Sequence, residues 1–356
     1  MPERPDSALL WWGGAMEVVE VHPSVEQYAY TFGGAAPLMT VRPGQALRLW
    51  SEDAFGGGLR STSDLLSNTP APPGLNPQTG PFLVEGAQPG DVLALHLVDL
   101  EPARDTAVSS LVPFFGGLTG TDTTALLTPP LPERTWVYHL DSARRTLAVE
   151  LSSGGFTAEL PLEPMLGTVG VAPAAGEVRT SLVPGVFGGN LDTPQMRAGT
   201  TCYLRVNVEG ALFSLGDGHY RQGEGETCGT AVEGAMTTTL VVDLVKAGDL
   251  GGAGAPATPR LEDDEHWMTV GTGRPLEDAW RASQVEMVRW LRELYGLDDL
   301  DAYQLLSQVG LAPLANVVDP AYAALAKVPK ALLPAPATSA FGGVHARLRE
   351  AARTLR

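Results

Sequence analysis

The run AGTTCYLRVNVEGALFSLGDGHYRQGEGETCGTAVE, Ala198–Glu233, is where the fold can be read. An apolar, β-branched run from Cys202 to Val208 gives way to glycine-rich turns that carry acidic, imidazole and amide side chains. Glycine costs backbone entropy, yet it permits positive φ and close backbone approach. Short connections can therefore aim Asp217, His219, Gln222, Glu226 and Glu233 at one point, together with Asp192 of the preceding GGNLDT. This is strand and loop, with the chemistry on the loops.

Outward from that stretch the pattern repeats. Turn signals such as Pro43-Gly44, Pro89-Gly90 and Pro129-Pro130 recur between β-branched and aromatic runs. Those runs are Glu17–Val21, Leu47–Trp50, Val92–Leu97, Thr135–Leu140, Thr146–Leu151, Cys202–Val208 and Thr237–Val242. The spacing predicts a mainly β (α+β) protein with a β-sandwich or barrel-like body. Two stretches, VRPGQALRLW and AQPGDVLALHL, share a Pro-Gly turn before an apolar strand, a form common enough before strands that coincidence is the better reading than an internal repeat. The last third changes character. Leu276, Trp280, Met287, Leu291 and Leu294 recur at helical spacing with Gly296 as a stop, and Asp298–Ser307 reads as a second helix. A basic stretch, His345–Arg356, is helical in pattern and expected at the surface. The expected division is a β-rich region 1–160, a β-rich core 161–260 carrying most of the site motifs, and a region 261–356 whose helices cover a sheet.

Composition narrows the function classes. With 356 residues and 44% hydrophobic content the chain can bury a substantial core. A formal charge of −17 leaves no basic stripe for phosphates, so neither nucleic acid nor an anionic membrane is an expected partner. No apolar run is long enough to span a bilayer. The start MPERPDSALLWWGG lacks the basic and apolar regions of a signal peptide, so a cytoplasmic location is expected. Cys202 and Cys228 make no disulfide framework and fit a reducing compartment.

A set of carboxylates with an imidazole suits a hydrolytic metal site: nitrogen and oxygen donors fit zinc, and all-oxygen sets fit calcium or magnesium. Read locally, the GDGH of Asp217 and His219 is equally a β-turn. Glu226 and Glu233 are seven residues apart and fall on opposite faces of a straight strand, so a shared site needs a bend or bulge between them. His96 reads as a satisfied core residue, His22, His139 and His345 show no partner set, and the cluster Glu262–His266 reads as a solvated acidic loop.

Five stretches carry a family resemblance: EDAFGG (Glu52–Gly57), NPQTGPFLVEGAQPGDVLALHLVDL (Asn76–Leu100), PMLGTVGVAP (Pro164–Pro173), PGVFGGNLD (Pro184–Asp192) and the opening Ala198–Glu233 run, with weaker support from VVDP (Val317–Pro320). On these the chain resembles the acetamidase/formamidase family. The resemblance implies hydrolysis of a short-chain amide to carboxylate and ammonia on a β-rich, jelly-roll-like fold. It also implies a bound divalent metal, zinc by preference, with calcium as a second or structural ion, and makes a homo-oligomer the expected assembly. Carried over by motif and chemistry, Asp53, Asp192, His219 and Glu233 are the expected metal ligands. Glu226 is the expected general base, and Gln222 and Asn190 the side chains that orient the amide.

Two departures from the family pattern bear on substrate. Thr31-Phe32-Gly33-Gly34 stands where His and Trp-Asp-Asn residues are usual, and Tyr220 and Arg221 stand where small residues are common, which would admit a larger or acidic amide. The competing readings are a thiol amidase built on Cys228, and a non-catalytic jelly-roll binder of metal or carbohydrate. For the first, Lys246, Lys327 and Lys330 lie outside the motif block and Cys228 reads better as a small buried strand residue.

Overall fold

The computed structural model describes residues 18–69, 74–119, 127, 129–250 and 254–355. Glu17 and the stretch MPERPDSALLWWGG lie outside the described residues. Two large, open β-sheets dominate. The first has nine strands in the order Val18–Val21, Ala46–Ser51, Met236–Val245, Val92–Pro102, Thr201–Arg205, Arg260–Glu262, His266–Gly273, Tyr322–Pro329 and Leu314–Asn316. The two strands that follow the similar Pro-Gly turns, Ala46–Ser51 and Val92–Pro102, flank Met236–Val245 on either side. Strands from all three expected regions are hydrogen-bonded into this one sheet.

The second sheet has eleven strands. At its centre Thr106–Leu111, Val232–Glu233, Phe213–Arg221, Met165–Gly170 and Gly188–Asn190 lie side by side, and Gln78–Val84 also joins Phe213–Arg221. Alternation along the strands decides which layer each side chain enters. Leu93, Leu95 and Leu97 enter a core shared with Phe82, Leu166, Phe213 and Leu215 of the second sheet. Val92 and Ala94, one residue out of phase, enter a different core on the opposite face. A strand buried on both faces is nearly all apolar, as VLALHLV is.

Helices build that second core. The helix Leu276–Tyr295 buries Ala279, Met287, Trp290, Leu291 and Leu294 and ends at Gly296, whose φ of 67° suits glycine. Trp280 matches the helical spacing but is 45% exposed, because the buried stripe passes through Ala279 and Ser283 instead. A second helix, Asp299–Val309, is capped by Asp298, whose side chain accepts from the Asp301 N–H at 2.8 Å. The C-terminal helix Val344–Ala352 does more than lie on the surface: Val344, Leu348 and Ala352 enter the helix–sheet core. His345, expected to lack partners, is buried and bonds Thr201 Oγ1 through Nδ1 at 2.9 Å, while its Nε2 lies 3.3 Å from Asp264. His96 is a buried core residue whose Nδ1 lies 2.9 Å from the same hydroxyl. Nor is the acidic stretch before His266 simply solvated, since Glu262 is buried, accepting from Tyr203 Oη at 2.9 Å and Lys330 Nζ at 2.7 Å. No helix among the described residues is long and apolar enough to cross a membrane.

Candidate active site

Register in the second sheet assembles the site. Asp217 and His219 lie in strand Phe213–Arg221, where the sequence also allowed a turn, and two-residue spacing puts both on one face. His219 pairs directly with Glu233 of the neighbouring strand, and a register shift follows between His219 and Arg221. The chain then turns through Gln222–Ala231 before re-entering the sheet, so Glu226 returns to the same point as Glu233. The bend that their spacing required is this turn. On the other side, Thr168 pairs with Asn190, and Asp192 follows two residues beyond.

Gly167 makes the room. A Cβ there would collide with the carboxylates of both Asp217 and Asp192. Asn76, Asp192, Asp217 and Glu226 all hold positive φ, between 44° and 60°, a conformation costly for non-glycine residues and concentrated where side chains must be aimed.

Two overlapping trios have the donor atoms of a metal site: Asp192, His219 and Glu226, and Asp217, His219 and Glu233, with ligand atoms in each mutually within 4.8 Å. All five residues are buried. Four of them are fixed by their outer atoms. Asp192 Oδ2 accepts from Asn190 Nδ2 at 2.9 Å and Asn316 Nδ2 at 3.2 Å. Asp217 Oδ2 accepts from Thr168 Oγ1 at 3.0 Å and Asn76 Nδ2 at 3.3 Å. Glu233 Oε1 accepts from the Ala231 N–H at 2.8 Å. His219 Nδ1 bonds Gln222 Oε1 at 2.9 Å. Gln222 Nε2 donates to the carbonyls of Asp192 and Ala315, which fixes its amide orientation, so Oε1 must accept and His219 Nδ1 must carry the proton. His219 Nε2 is thereby turned inward, 3.4 Å from Asp217 Oδ1 and 3.1 Å from Glu233 Oε2. No hydrogen bond among the described residues holds the carboxyl of Glu226.

The residues fit a cation by more than their identity. Asp192 Oδ1 is buried with no hydrogen-bond partner, and Glu233 Oε2 has only the imidazole Nε2 at 3.1 Å, a costly state for carboxylate oxygens unless a further positive charge faces them. One imidazole nitrogen with carboxylate oxygens is a zinc-type donor set, each donor steadied by an outer partner. Electrostatics agree. Burial, followed by Glu226, Asp319 and Asp217, pushes Asp192 well above the carboxylate range. Burial raises Glu226 strongly, and Glu233 and Asp319 add to it against the pull of His219. Glu233 is raised by burial too, and burial pushes Asp319 up to about 8. Burial alone would also raise Asp217, but His219 and hydrogen bonds outweigh it and hold the group low. Burial acts to lower His219, yet Glu233 and Asp217 overcome it and raise the imidazole well above its ordinary value.

Asp53 stands apart from both trios. Its Oδ1 accepts from the N–H groups of Phe55 and Gly57, both at 2.9 Å, and its Oδ2 lies 3.2 Å from Arg104. Burial, then Glu52, pushes it up to about 7 against those partners. Asn190 is in the site, but both its amide hydrogens are engaged, with Asp192 and Asp319 at 2.9 Å each. Asn190 and Gln222 thus position other groups. Sequence reasoning gave no role to Asn76, Thr168, Asn316 or Asp319, and left Asp217 out of the ligand set. Asn76, Thr168 and Asp319 sit inside quoted motifs, the only signal available for them, and Asn316 just precedes VVDP.

Three expectations are corrected. Tyr220 is fully buried, its hydroxyl donating to the carbonyls of Arg104 and Ala235 at 2.9 and 3.1 Å. Arg221 turns outward to Glu163 at 2.7 Å. Neither reaches the cavity, and Thr31–Gly34 does not line it either. Cys228 is exposed in the turn and not buried in a strand, and partial desolvation of its sulfur, then the charge of Glu226, raise its thiol pKa, the wrong direction for a nucleophile.

A sequence profile of the acetamidase/formamidase family matches residues 163–333. The structure superposes on a crystal structure of acetamidase from Yersinia enterocolitica with a TM-score of 0.82, 36% identity and coverage of 91% of this chain and 96% of that one. An acetamidase of Mycolicibacterium smegmatis is 26% identical over 59% of this chain and 63% of its own length. A formamidase of Methylophilus methylotrophus is 26% identical over 48% of this chain and 52% of its own. The chain thus spans less than two thirds of either of these last two relatives.

Proposed function

This chain belongs to the acetamidase/formamidase family, and from that premise we propose that it hydrolyses the C–N bond of a small linear amide to a carboxylate and ammonia, using a divalent cation. The observation that carries the reading is the burial of five carboxylates, Asp192, Asp217, Glu226, Glu233 and Asp319, around one imidazole. That much buried negative charge calls for a positive partner, and no Lys or Arg lines the cavity among the described residues.

Asp192, Asp217, His219 and Glu233 would hold the cation, because each is anchored through its outer atom and turns the other inward. Zinc suits this mixed nitrogen and oxygen set better than calcium, which favours six to eight oxygens. When bound, the cation supplies Lewis acidity, polarising a carbonyl and lowering the pKa of water. Gln222 keeps the His219 proton on Nδ1 and Nε2 available as a donor atom. Glu226, whose carboxyl no hydrogen bond among the described residues holds, is suited to take a proton from the attacking water and return it to the departing nitrogen. Asn190 and Asn316 each donate to both Asp192 and Asp319 and so fix the two carboxyl groups side by side.

The test is ammonia release from formamide, acetamide and propionamide, with and without chelator, with metal content read in parallel. Release that chelation abolishes and zinc restores is expected. Undiminished release from fully demetallated protein would overturn the cation. Release abolished by thiol alkylation would move the chemistry to Cys228.

A further inference from the structure

Part of the cavity lining has no role in the hydrolytic chemistry. The whole cavity has a volume of about 310 Å³, and beside the carboxylates it is lined by an apolar wall of Phe55, Leu66, Leu75, Val112, Phe115 and Leu182. We propose that the preferred substrates are uncharged primary amides with an apolar acyl group of roughly five to seven carbons, linear or aromatic, since the cavity is some ten times the ~30 Å³ share of a water molecule. The proposal rests on the amide-hydrolase reading of the same site.

The wall is built into the catalytic geometry. Phe115 lies on a turn pinned to the Glu226 turn: the Gly117 N–H donates to the Thr227 carbonyl at 2.9 Å, and a Cβ on Gly229 would strike the Phe115 ring. Phe55 is fixed from behind by Asp53, which accepts from its N–H at 2.9 Å, while Arg104 ties Asp53 to Glu52. Asp53 is a positioning residue for the apolar wall. Formamide or acetamide would leave this surface wetted, whereas a longer acyl chain covers it, and each added methylene gains about fourfold in binding where it is fully buried. Arg221 turns away to Glu163 and no Lys or Arg lines the cavity among the described residues, so nothing in its lining pairs with a carboxylate on the acyl group of a substrate.

The experiment measures kcat/KM for acetamide, butyramide, hexanamide and benzamide on the metal-loaded protein, beside calorimetric titration of hexanamide and acetamide. Hexanamide or benzamide should exceed acetamide by tenfold or more in kcat/KM, and hexanamide should bind at least tenfold tighter. F115A and, as a second variant, L182S should each reduce the hexanamide-to-acetamide ratio about tenfold. Acetamide turnover that falls off with chain length overturns this proposal and leaves amide hydrolysis standing. Tighter hexanamide binding without turnover of any amide supports the apolar subsite and overturns the hydrolase reading. A chain-length preference unchanged in both variants overturns the assignment of the wall.

Discussion

Gln222 shows how a residue can matter without touching substrate. Its amide reads two carbonyls and thereby dictates the tautomer of His219. Q222A should lower metal affinity about 10- to 100-fold, measured by competition with a chelating dye, with the fold intact by circular dichroism. E226Q should retain its metal and lose about 10²-fold or more in kcat, whereas H219A and D217A should lose metal as well. Metal content near wild type in H219A would remove the imidazole from the ligand set. Gly167 carries a prediction of the opposite kind. G167A adds one methyl group between the carboxylates of Asp217 and Asp192, and should cost about 1–3 kcal/mol in urea unfolding together with metal affinity. Most of these residues were legible in the sequence as types, because glycine-rich turns bearing carboxylates and an imidazole announce a site. Their roles were not. Asp53 and Asp217 both sit in family motifs, and only hydrogen-bond geometry shows that Asp53 steadies a loop while Asp217 faces the imidazole.

At the scale of elements, strand and helix meet through two unusual contacts. Gly271, in strand His266–Gly273, lies against the backbone of Ala279 and Ser283, and any Cβ there would collide with it. G271A should lever the helix Leu276–Tyr295 from the sheet and cost about 1–3 kcal/mol in denaturant unfolding. Arg260, from the adjoining strand, is buried between Glu286 at 2.8 Å and Glu293 and lies 5.0 Å from the Trp290 ring centroid. Removing its charge in R260M leaves buried Glu286 with only the long contact to Arg289 at 3.5 Å and the Ala257 N–H at 3.2 Å, so about 3 kcal/mol of stability should go, and a change under about 1 kcal/mol would mean those two contacts suffice for that carboxylate. The long helix was readable from its period and its glycine stop. Its exact facing was not, since the buried stripe includes Ser283 and Glu286, polar residues that no apolar pattern would choose.

For the whole molecule, the buried carboxylates couple stability to pH and to metal. Asp192, Glu226, Glu233 and Asp319 all have folded pKa values raised above their unfolded ones, Asp319 to about 8 from 3.8. The folded state therefore holds more protons than the unfolded one, and stability falls as pH rises. For the chelated protein, Tm should drop steadily from pH 5 to beyond pH 8, and zinc should raise Tm and flatten that slope by compensating the charge. A chelated Tm independent of pH over this range would contradict the raised pKa values. The sequence by itself determined what depends on local order: alternating strands, turns where glycine and proline fall, helices at the end, an acidic surface and the family. It could not determine which carboxylates converge. Asn190 and Asp319 are 129 residues apart and meet because Leu314–Asn316, at the edge of one sheet, carries the Val317–Pro320 turn across to the other. Convergence of that kind is set by register, packing and the closing of long loops, and these become physical quantities only when the two sheets are folded together.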